Sequence, residues 1–429
     1  MPTLVIVGAQ WGDEAKGKLV DVLGGQADMV VRYSGGNNAG HTVIVGDREF
    51  KFHLVPAGIL HPNVTAVLGG GMVVCPKGLL EEYDRTRAAQ PELGTLKISS
   101  AAQVVFPYHQ LLDALEEAAK GTGKIGTTTR GIGPAYQDKM ARIGIRMGEF
   151  VDPVFFKERL RDVVRFKNAM LKLLGGEEVS FDELYSEYAA YAERLRPFVC
   201  DTDVIVQDAV YGGKRVMFEG AQGTMLDLDG GTYPFVTSSH PIAGGACLGT
   251  GIGPRMIDSV LGVCKTYTTR VGAGPFPTEL LDDTGEWIRK HGKEYGTTTG
   301  RGRRCGWMDL VVLRQSARVN SLSGLVVTRL DILSGFDTVK AAVAYDLEGS
   351  RVDHVPADTF TYAKVRPIYQ ELPGWSGDVR SARKIEDLPA SARAYLDFMA
   401  EKAGVPVAIV SVGPDREETI VVRPDLIWG

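Results

Sequence analysis

The stretch from residue 3 to residue 23 constrains the fold more than any other part of the chain. Residues 3–7 (TLVIV) are mostly β-branched, which is typical of a buried strand. A glycine-rich bend follows at residues 8–17, and residues 18–23 then place apolar side chains at helical spacing. The backbone N–H groups of such a loop, with the helix N-terminus behind it, bind anionic oxygens. The order strand, glycine loop, helix therefore predicts a phosphate-binding site after the first strand.

This loop differs from an ordinary P-loop. Residues 12–18 match the pattern G-x-x-x-x-G-K, but Leu19 stands where that motif has a Ser or Thr for Mg²⁺. Asp13 and Glu14 are present instead, and carboxylates beside phosphates repel them unless they hold the metal or transfer a proton. A plain tight turn is the alternative interpretation. Two acids and two lysines within this short loop exceed what a turn requires.

Composition excludes several classes of protein. The chain has 429 residues, 44% of them hydrophobic and 24% charged, and a net charge of −5, which argues against a bulk binder of nucleic acids or membranes. We expect no signal peptide and no membrane span, because no apolar run has the required length. The five cysteines form no C-x-x-C pair, which fits a reducing cytoplasm without disulfides or a zinc site.

Strand-like and helix-like segments alternate along the chain. Strands are predicted over residues 29–33, 64–68, 72–75, 216–218, 263–269, 324–331 and 407–411, with a hairpin over 43–54. Helices are predicted over residues 76–89, 107–120, 204–211, 254–261, 307–317 and 388–403. This alternation predicts an α/β fold with a large, mostly parallel, doubly wound central sheet flanked by helices, with helical and loop insertions. We expect a single domain over residues 1–429 with a helical satellite region at about 151–200.

Asp13 and His41 are the candidates for acid–base chemistry. Each lies in a glycine-rich loop after one of the first two strands, and such loops open at the carboxyl edge of a parallel sheet, where ligands bind. A lone histidine is more often structural. Asn37, Asn38 and Thr42 surround His41 with hydrogen-bonding groups of little bulk, which favours a role in a site.

Residues 328–331 (TRLD) suggest recognition of guanine at the end of a late strand. The Asp331 carboxylate can accept from both N1–H and the 2-amino group of guanine, a donor pair that adenine lacks. The stem of Arg329 can lie against the base. Taken alone, the tetrapeptide is more often an ordinary strand end, and the phosphate loop on the same sheet makes the two interpretations equally good. Residues 411–414 can either close over the same base or form a plain turn.

Two basic loops, at residues 121–134 and 296–306, are rich in Gly, Thr and Arg. Their hydroxyls, amides and guanidinium groups suit phosphate and carboxylate oxygens. A solvated loop is the alternative for each, but two of them in a net-acidic chain predict more than one anionic ligand. Gln222 and Thr237 are further polar candidates that spacing alone does not separate from their neighbours.

Six motifs, taken together, resemble the adenylosuccinate synthetase family. They occupy residues 10–18, 36–42, 126–136, 218–223, 269–279 and 411–416, in the family's order and over nearly the whole chain. The resemblance implies a GTP-dependent ligase that joins IMP and L-aspartate through 6-phosphoryl-IMP, the first committed step of AMP synthesis from IMP. It also implies an α/β sheet similar to that of P-loop NTPases, one Mg²⁺ per subunit and a cytoplasmic homodimer without nucleic-acid or membrane partners.

The resemblance also implies roles for individual residues. Asp13 would take the N1 proton of IMP and bind Mg²⁺ together with Gly40, while His41 and Gln222 would complete the catalytic set. For GTP the matching positions are Gly12, Asp13, Glu14, Ala15, Lys16, Gly17, Lys18, Gly40, His41, Thr42, Arg303, Arg329, Leu330, Asp331, Ser411, Val412 and Gly413. For IMP they are Asp13, Asn38, His41, Thr128, Gln222, Thr237, Arg301 and, from the neighbouring subunit, Arg142. For aspartate they are Thr297, Thr298, Thr299, Gly300, Arg301 and Arg303.

Two positions depart from the family pattern. Ala15 stands where glycine is usual, so its φ must be negative or its backbone strained. Arg329 replaces the usual lysine and can stack on a base at least as well. Two other hypotheses stay open at this point: a GTP-binding switch, which needs only the phosphate loop and residues 328–331, and an inactive structural relative.

Overall fold

The computed structural model describes residues 2–46, 48–296 and 300–429. In chain order the strands are β1 (Thr3–Gly8), β2 (Met29–Arg32), β3 (His41–Val45), β4 (Arg48–Phe52), β5 (Thr65–Leu68), β6 (Val73–Val74), β7 (Thr95–Ser99), β8 (Gln103–Val104), β9 (Val199–Cys200), β10 (Val216–Glu219), β11 (Ser259–Lys265), β12 (Thr268–Arg270), β13 (Arg304–Gly306), β14 (Met308–Asp309), β15 (Gly324–Thr328), β16 (Thr338–Leu347), β17 (Ser350–Val352), β18 (Arg366–Pro373), β19 (Val407–Ser411) and β20 (Thr419–Val421).

The α-helices are α1 (Lys16–Gly24), α2 (Pro76–Ala89), α3 (Pro107–Ala119), α4 (Ile132–Ala141), α5 (Met147–Phe150), α6 (Pro153–Leu173), α7 (Phe181–Leu195), α8 (Thr202–Tyr211), α9 (Ala243–Thr250), α10 (Asp283–His291), α11 (Leu310–Asn320), α12 (Thr359–Tyr362) and α13 (Ala390–Ala403). Within the described part of the chain, every helix is too short or too polar to span a lipid bilayer.

The central sheet has ten strands among the described residues, in the order β20-β19-β15-β11-β1-β10-β2-β5-β7-β9. Its pairs are parallel except for β20, which runs antiparallel to β19 at one edge. Strand β1 lies in the middle and is fully buried, as expected for a parallel sheet covered on both faces. The prediction of a large, mostly parallel α/β sheet is confirmed.

The position of β1 gathers distant parts of the chain. Its neighbours are β10 and β11, and β2 and β15 lie one strand further out on either side. Because the carboxyl ends of parallel strands meet at one edge of the sheet, the loops after β1, β2, β10, β15 and β19 converge there. The fold therefore brings residues near 13, 38, 222, 330 and 412 to a common edge.

One predicted helix is wrong, and the bounds of another are shifted. Residues 254–261 were expected to be a helix, but only Pro254–Met256 forms a 3₁₀ turn, and β11 begins at Ser259. This segment pairs with β1 and β15 on both sides, and that pairing outweighs the local start signal of Pro254. The helix expected over residues 307–317 begins instead at Leu310, because the Asp309 carboxylate caps it by accepting from the N–H groups of Val311 and Val312.

A second sheet was not predicted. Strands β16, β17 and β18 are antiparallel, and β14 joins them by a parallel pairing with β16. This sheet packs beside α11, so that the second half of the chain has a hydrophobic core of its own around Leu313, Leu333 and Val339.

Helices α6 and α7 occupy most of residues 151–200. Their apolar faces pack on Phe106, whose ring centroid lies 6.2 Å from that of Phe156 and 4.9 Å from that of Tyr188. These residues belong to the same hydrophobic cluster as Leu4 and Ile6 of β1. The helical region is therefore continuous with the core of the sheet.

Phe156 and Phe155 are neighbours on α6 with opposite environments, since Phe156 is 1% exposed and Phe155 is 52% exposed. We expect Phe156→Ala to reduce the free energy of unfolding by about 3–5 kcal/mol, because it leaves a cavity in the aromatic cluster. Phe155→Ala, the matched control, should change it by less than about 1 kcal/mol. Chemical denaturation of both variants measures the difference, and equal effects would contradict this packing.

Candidate active site

A large cavity of about 910 Å³ opens at the carboxyl edge of the central sheet. It is lined by the loops after β1, β2, β10, β15 and β19, together with the loop before α4. Most of the site residues predicted from the sequence line it, namely Gly12, Asp13, Ala15, Lys16, Gly17, Lys18, Asn38, Gly40, His41, Thr42, Thr128, Gln222, Thr237, Arg303, Arg329, Asp331, Ser411 and Gly413.

Some predicted residues lie elsewhere. Of those that the structure describes, the ones that do not line the cavity are Glu14, Arg142, Gly300, Arg301, Leu330 and Val412. Arg301 nevertheless lies beside the threonine-rich loop, since its Nη1 is 3.2 Å from the position that a Cβ on Gly126 would take. Thr297, Thr298 and Thr299 lie outside the described residues.

Glu14 shapes the phosphate loop from inside the protein. Its side chain is fully buried, and Oε1 accepts from the N–H groups of Gly12 at 2.8 Å and Gln10 at 3.1 Å. The Lys16 ammonium donates to Oε2 at 2.5 Å and to the carbonyl of Gln222. The second acid of the loop therefore serves its conformation, while Asp13 lines the cavity.

The backbone is strained at several loops around the cavity. Asp13, Ala15, Gln222 and Arg329 all have positive φ, with Ala15 at φ 70° and ψ 35°. A left-handed conformation costs an L-residue with a Cβ about 1–2 kcal/mol. Ala15 thus takes the strained alternative of the two that the sequence left open. Clustered strain of this kind is typical of functional sites.

Lys18 joins the phosphate loop to the other end of the site. Its ammonium donates to Ser411 Oγ at 2.7 Å and to the carbonyls of Gly413 at 2.7 Å and Glu418 at 3.0 Å. Burial lowers the pKa of Lys18 to about 8, against the nearby acids Glu418 and Asp331, which raise it. In this structure the lysine holds α1 against the loop after β19.

His41 is oriented by a buried carboxylate. Its Nδ1 lies 2.6 Å from Glu219 Oε1, and Glu219 Oε2 accepts from the N–H of Ala57 at 3.0 Å. An ionised carboxylate only accepts, so Nδ1 carries the hydrogen and Nε2 is left as the second ring nitrogen. Burial lowers the pKa of His41, although Glu219 opposes that shift.

Asn38 and Gln222 meet although they are far apart in sequence. Gln222 Nε2 donates to Asn38 Oδ1 at 3.2 Å, and the same oxygen accepts from the N–H of Gly36. Gln222 Oε1 is buried and has no hydrogen-bond partner among the described residues. Sequence spacing did not separate Gln222 from its neighbours, and the structure places it beside Asn38 in the cavity wall.

A buried ionic chain runs from the cavity into the protein and was missed by the sequence reasoning. Arg303 Nε donates to Asp13 Oδ2 at 2.9 Å, and its Nη1 donates to Glu294 Oε2 at 2.6 Å. Glu294 Oε1 accepts from Lys265 at 2.7 Å. Burial alone would raise the pKa of Glu294, but Lys265 and Arg303 lower it to about 2. The sequence signal for this ionic chain was Lys265, a charged residue at the end of the mostly apolar segment 259–265.

Asp331 presents an unused acceptor. Its Oδ1 is buried without a hydrogen-bond partner among the described residues, and burial raises its pKa, although Arg329 opposes that shift. The hydroxyl of Thr328, three residues earlier at the end of β15, donates to the carbonyl of Glu14 at 3.0 Å. The strand end with the open carboxylate is therefore tied directly to the phosphate loop.

The parallel sheet, the phosphate loop and the cavity at its carboxyl edge define an α/β protein of the nucleotide-binding class. The family model for adenylosuccinate synthetase matches residues 5–420. The chain belongs to the adenylosuccinate synthetase family. Within the described residues, no three His, Cys, Asp or Glu side chains gather in a way that could hold a metal ion.

Relatives and a solved structure agree with this assignment. The adenylosuccinate synthetase of Carboxydothermus hydrogenoformans is 56% identical over 98% of this chain and 99% of its own length. That of Clostridium novyi is 51% identical with the same coverage. The structure of fully ligated adenylosuccinate synthetase from Plasmodium falciparum superimposes with a TM-score of 0.93 at 36% identity, and the match covers 98% of this chain and 100% of that one.

The strain at Ala15 leads to a prediction. Ala15→Gly should raise the melting temperature slightly, because the release of about 1–2 kcal/mol of left-handed strain exceeds the added entropy of an unfolded glycine. Ala190→Gly, on the exposed face of α7, should lower it, because glycine costs about 1 kcal/mol in a helix. Calorimetry of both variants tests the opposite signs, and a lower melting temperature for Ala15→Gly would count against the strain.

Proposed function

We propose that this chain ligates IMP and L-aspartate to adenylosuccinate, using GTP and releasing GDP and phosphate, as the first committed step of AMP synthesis from IMP. Family membership supports this activity. The observation that carries it is that Asp13, His41 and the hydrogen-bonded pair Asn38–Gln222 line one cavity together with Asp331. The Oδ1 of Asp331 has no hydrogen-bond partner among the described residues. A site of this kind can hold a purine base, phosphates and an amino acid together.

GTP is proposed to lie between the phosphate loop and Asp331. Residues 12–18 and 40–42 would surround its phosphates, and the open Oδ1 of Asp331 suits the donors of guanine. Arg329 would lie against the base, with Leu330 and residues 411–413 closing over it. Lys18, which holds Ser411 and Gly413, would then keep the two ends of the nucleotide site at a set separation.

The residues at the phosphate loop fit a Mg²⁺ ion. The Asp13 carboxylate lines the cavity and here attracts a cation, the Arg303 guanidinium, while Gly40 lines the same space. Magnesium in nucleotide sites is commonly bound by one or two protein carboxylates together with substrate phosphates. We propose that Asp13 and the Gly40 carbonyl hold one ion per subunit. When bound, it would offset the negative charge of the phosphates.

IMP is proposed to bind Asn38, Thr128, Gln222, Thr237 and Arg301. Asp13 would accept the N1 proton while O6 of IMP attacks the γ-phosphorus of GTP, which gives 6-phosphoryl-IMP and GDP. The amine of aspartate would then attack C6, and phosphate would leave.

His41 is proposed to stabilise charge during the phosphoryl transfer. Glu219 holds Nδ1, so Nε2 is the nitrogen available to the phosphate oxygens. Burial lowers the pKa of His41 and so disfavours the protonated imidazole, whereas an incoming polyanion would favour that form, which is a donor at Nε2. The oriented ring would thus meet the charge that develops on GDP.

Aspartate is proposed to bind the loop that carries Thr297, Thr298, Thr299, Gly300, Arg301 and Arg303. Guanidinium groups suit carboxylates through paired hydrogen bonds. Arg303 is buried between Asp13 and Glu294 in this structure, so it stands next to the proposed base.

We also propose a cytoplasmic homodimer in which Arg142 reaches the IMP of the neighbouring subunit. Arg142 is exposed at the end of α4 and has a left-handed backbone that ends the helix. All five cysteines are free, which suits a reducing compartment. A single working domain is supported by the hydrophobic cluster that α6 and α7 share with β1.

The product assay tests the activity. With GTP, Mg²⁺, IMP and aspartate, adenylosuccinate and GDP should form in equal amounts, because one phosphoryl transfer drives each condensation. Omitting aspartate is the control and should stop net adenylosuccinate formation. GDP without adenylosuccinate would favour a GTP-binding switch over a ligase.

Asp13→Asn tests the proposed base. We expect kcat to fall by about 10²–10⁴-fold, the usual contribution of a general base, while GTP and IMP still bind. Steady-state rates and equilibrium binding measure the two effects. A variant with near-normal kcat would refute the role.

Dimers mixed from two variants test whether Arg142 completes the site of the neighbouring subunit. Asp13→Asn should be slow alone and Arg142→Ala should bind IMP weakly alone. Mixed subunits should regain activity at limiting IMP if the site is shared, because one site of the hybrid then has both native residues. Failure to regain any activity in hybrids confirmed by mass spectrometry would argue against Arg142 acting across the dimer.

Asp331→Asn tests guanine recognition. We expect KM for GTP to rise by about tenfold or more, because the amide loses one acceptor and the charge that strengthens both hydrogen bonds. The rise for ITP should be smaller, since its base lacks the 2-amino group. Asp337→Asn, an exposed acid on the same segment, is the matched control and should leave both KM values unchanged.

A further inference from the structure

Helix α3 carries a buried polar strip that faces the segment from Gly126 to Asp138. His109, Asp113 and Glu117 are spaced by four residues and therefore lie on one face of the helix. None is more than 8% exposed. Buried polar groups need partners, and all three find them in this one segment.

The contacts follow the strip in order. Glu117 Oε1 accepts from the N–H groups of Gly126 at 2.6 Å and Thr127 at 3.4 Å. Asp113 Oδ2 accepts from the N–H of Gly131 at 2.9 Å. The two carboxylates thus hold the two ends of the loop 126–131, which contains Thr128 of the cavity wall.

The third contact holds the helix that follows the loop. His109 Nε2 lies 3.0 Å from Asp138 Oδ2 on α4, and Lys167 of α6 donates to the other oxygen of Asp138. His109 Nδ1 accepts from the N–H of Phe106, so Nε2 carries the hydrogen and donates to Asp138. This fixes α4, which ends where Arg142 begins its exposed turn.

Close packing makes the arrangement rigid. Gly131 has φ +76°, and a Cβ at that position would lie 2.8 Å from the backbone and Cβ of His109.

Burial would raise the pKa of Glu117, but the N–H groups of Gly126, Ile125 and Thr127 lower it, so the carboxylate stays ionised. Charge-assisted hydrogen bonds of this kind are about twice as strong as neutral ones.

We propose that Asp113 and Glu117 are positioning residues that hold the loop 126–131 in the shape that binds IMP. This inference rests on the proposed function, because Thr128 is assigned to IMP there. A loop anchored at both ends loses little freedom when the ligand arrives, so the anchors increase affinity through the loop.

Steady-state kinetics of Glu117→Ala and Asp113→Ala test this role. Each should raise KM for IMP by about tenfold, while kcat at saturating IMP and KM for GTP stay within about twofold of the native values. Glu117→Gln keeps one oxygen that can accept from Gly126, so its KM for IMP should lie between those of the native protein and Glu117→Ala. Glu158→Gln, an exposed acid on α6, is the matched control and should change nothing.

Limited trypsin digestion gives a readout that does not depend on turnover. Lys124 and Arg130 are cleavage sites in and beside the loop, and both should be cut at least several-fold faster in the alanine variants than in the native chain. Saturating IMP should slow the cleavage again. The melting temperature of each variant, measured in parallel, identifies a chain that has simply unfolded.

The outcomes separate the two proposals. Unchanged KM for IMP in the alanine variants overturns the positioning role, as does an equal loss at every substrate with a lower melting temperature. A native protein that neither binds nor consumes IMP overturns the proposed function instead, and faster cleavage in the variants would then report only that the carboxylates anchor the loop.

Discussion

The site depends on the hydrogen bonds and the ion pair made by the fully buried carboxylate of Glu14. Leaving such a charge without partners costs several kcal/mol, and here two backbone N–H groups and the Lys16 ammonium satisfy it. Lys16 also donates to the carbonyl of Gln222, and the backbone oxygen of Glu14 accepts from Thr328. Glu14 and its partner Lys16 therefore connect the phosphate loop to the ends of β10 and β15, and the loop takes its shape from these contacts rather than from its glycines alone.

Buried charged side chains also connect the other walls of the cavity. Lys18 ties the loop after β19 to α1, and Arg303 ties Asp13 to the buried Glu294. Hydrogen bonds and ion pairs are strong in this region of low dielectric, so each contact limits the movement of the side chains that form it. These contacts also hold the strained backbone at Asp13 and Ala15 in place. A chain with fewer such links would relax the strain and lose the geometry of the site.

Much of the fold and the site was predictable from local pattern. The buried strand of β1, the loop behind it and the helices α2, α3 and α13 were recognised within a few residues, because periodicity and proline or glycine signals are local. The wrong helix at residues 254–261 and the missed sheet of β16–β18 have the opposite origin. At residues 254–261 the pairing with β1 and β15 overrides the local helix-start signal. The sheet of β16–β18 depends on the pairing of β16 with β18, which are separated in the chain by β17 and α12.

The sequence by itself determined the class of fold, the phosphate loop and the set of motifs that mark the family, since these depend on residue types at short spacing. Tertiary structure alone decided which groups meet. Lys18 with Ser411, Asn38 with Gln222, and the strip of α3 with the loop 126–131 are contacts between segments that the sheet and its helices bring together. No local propensity encodes such contacts, because burial and packing of the whole chain set their energies.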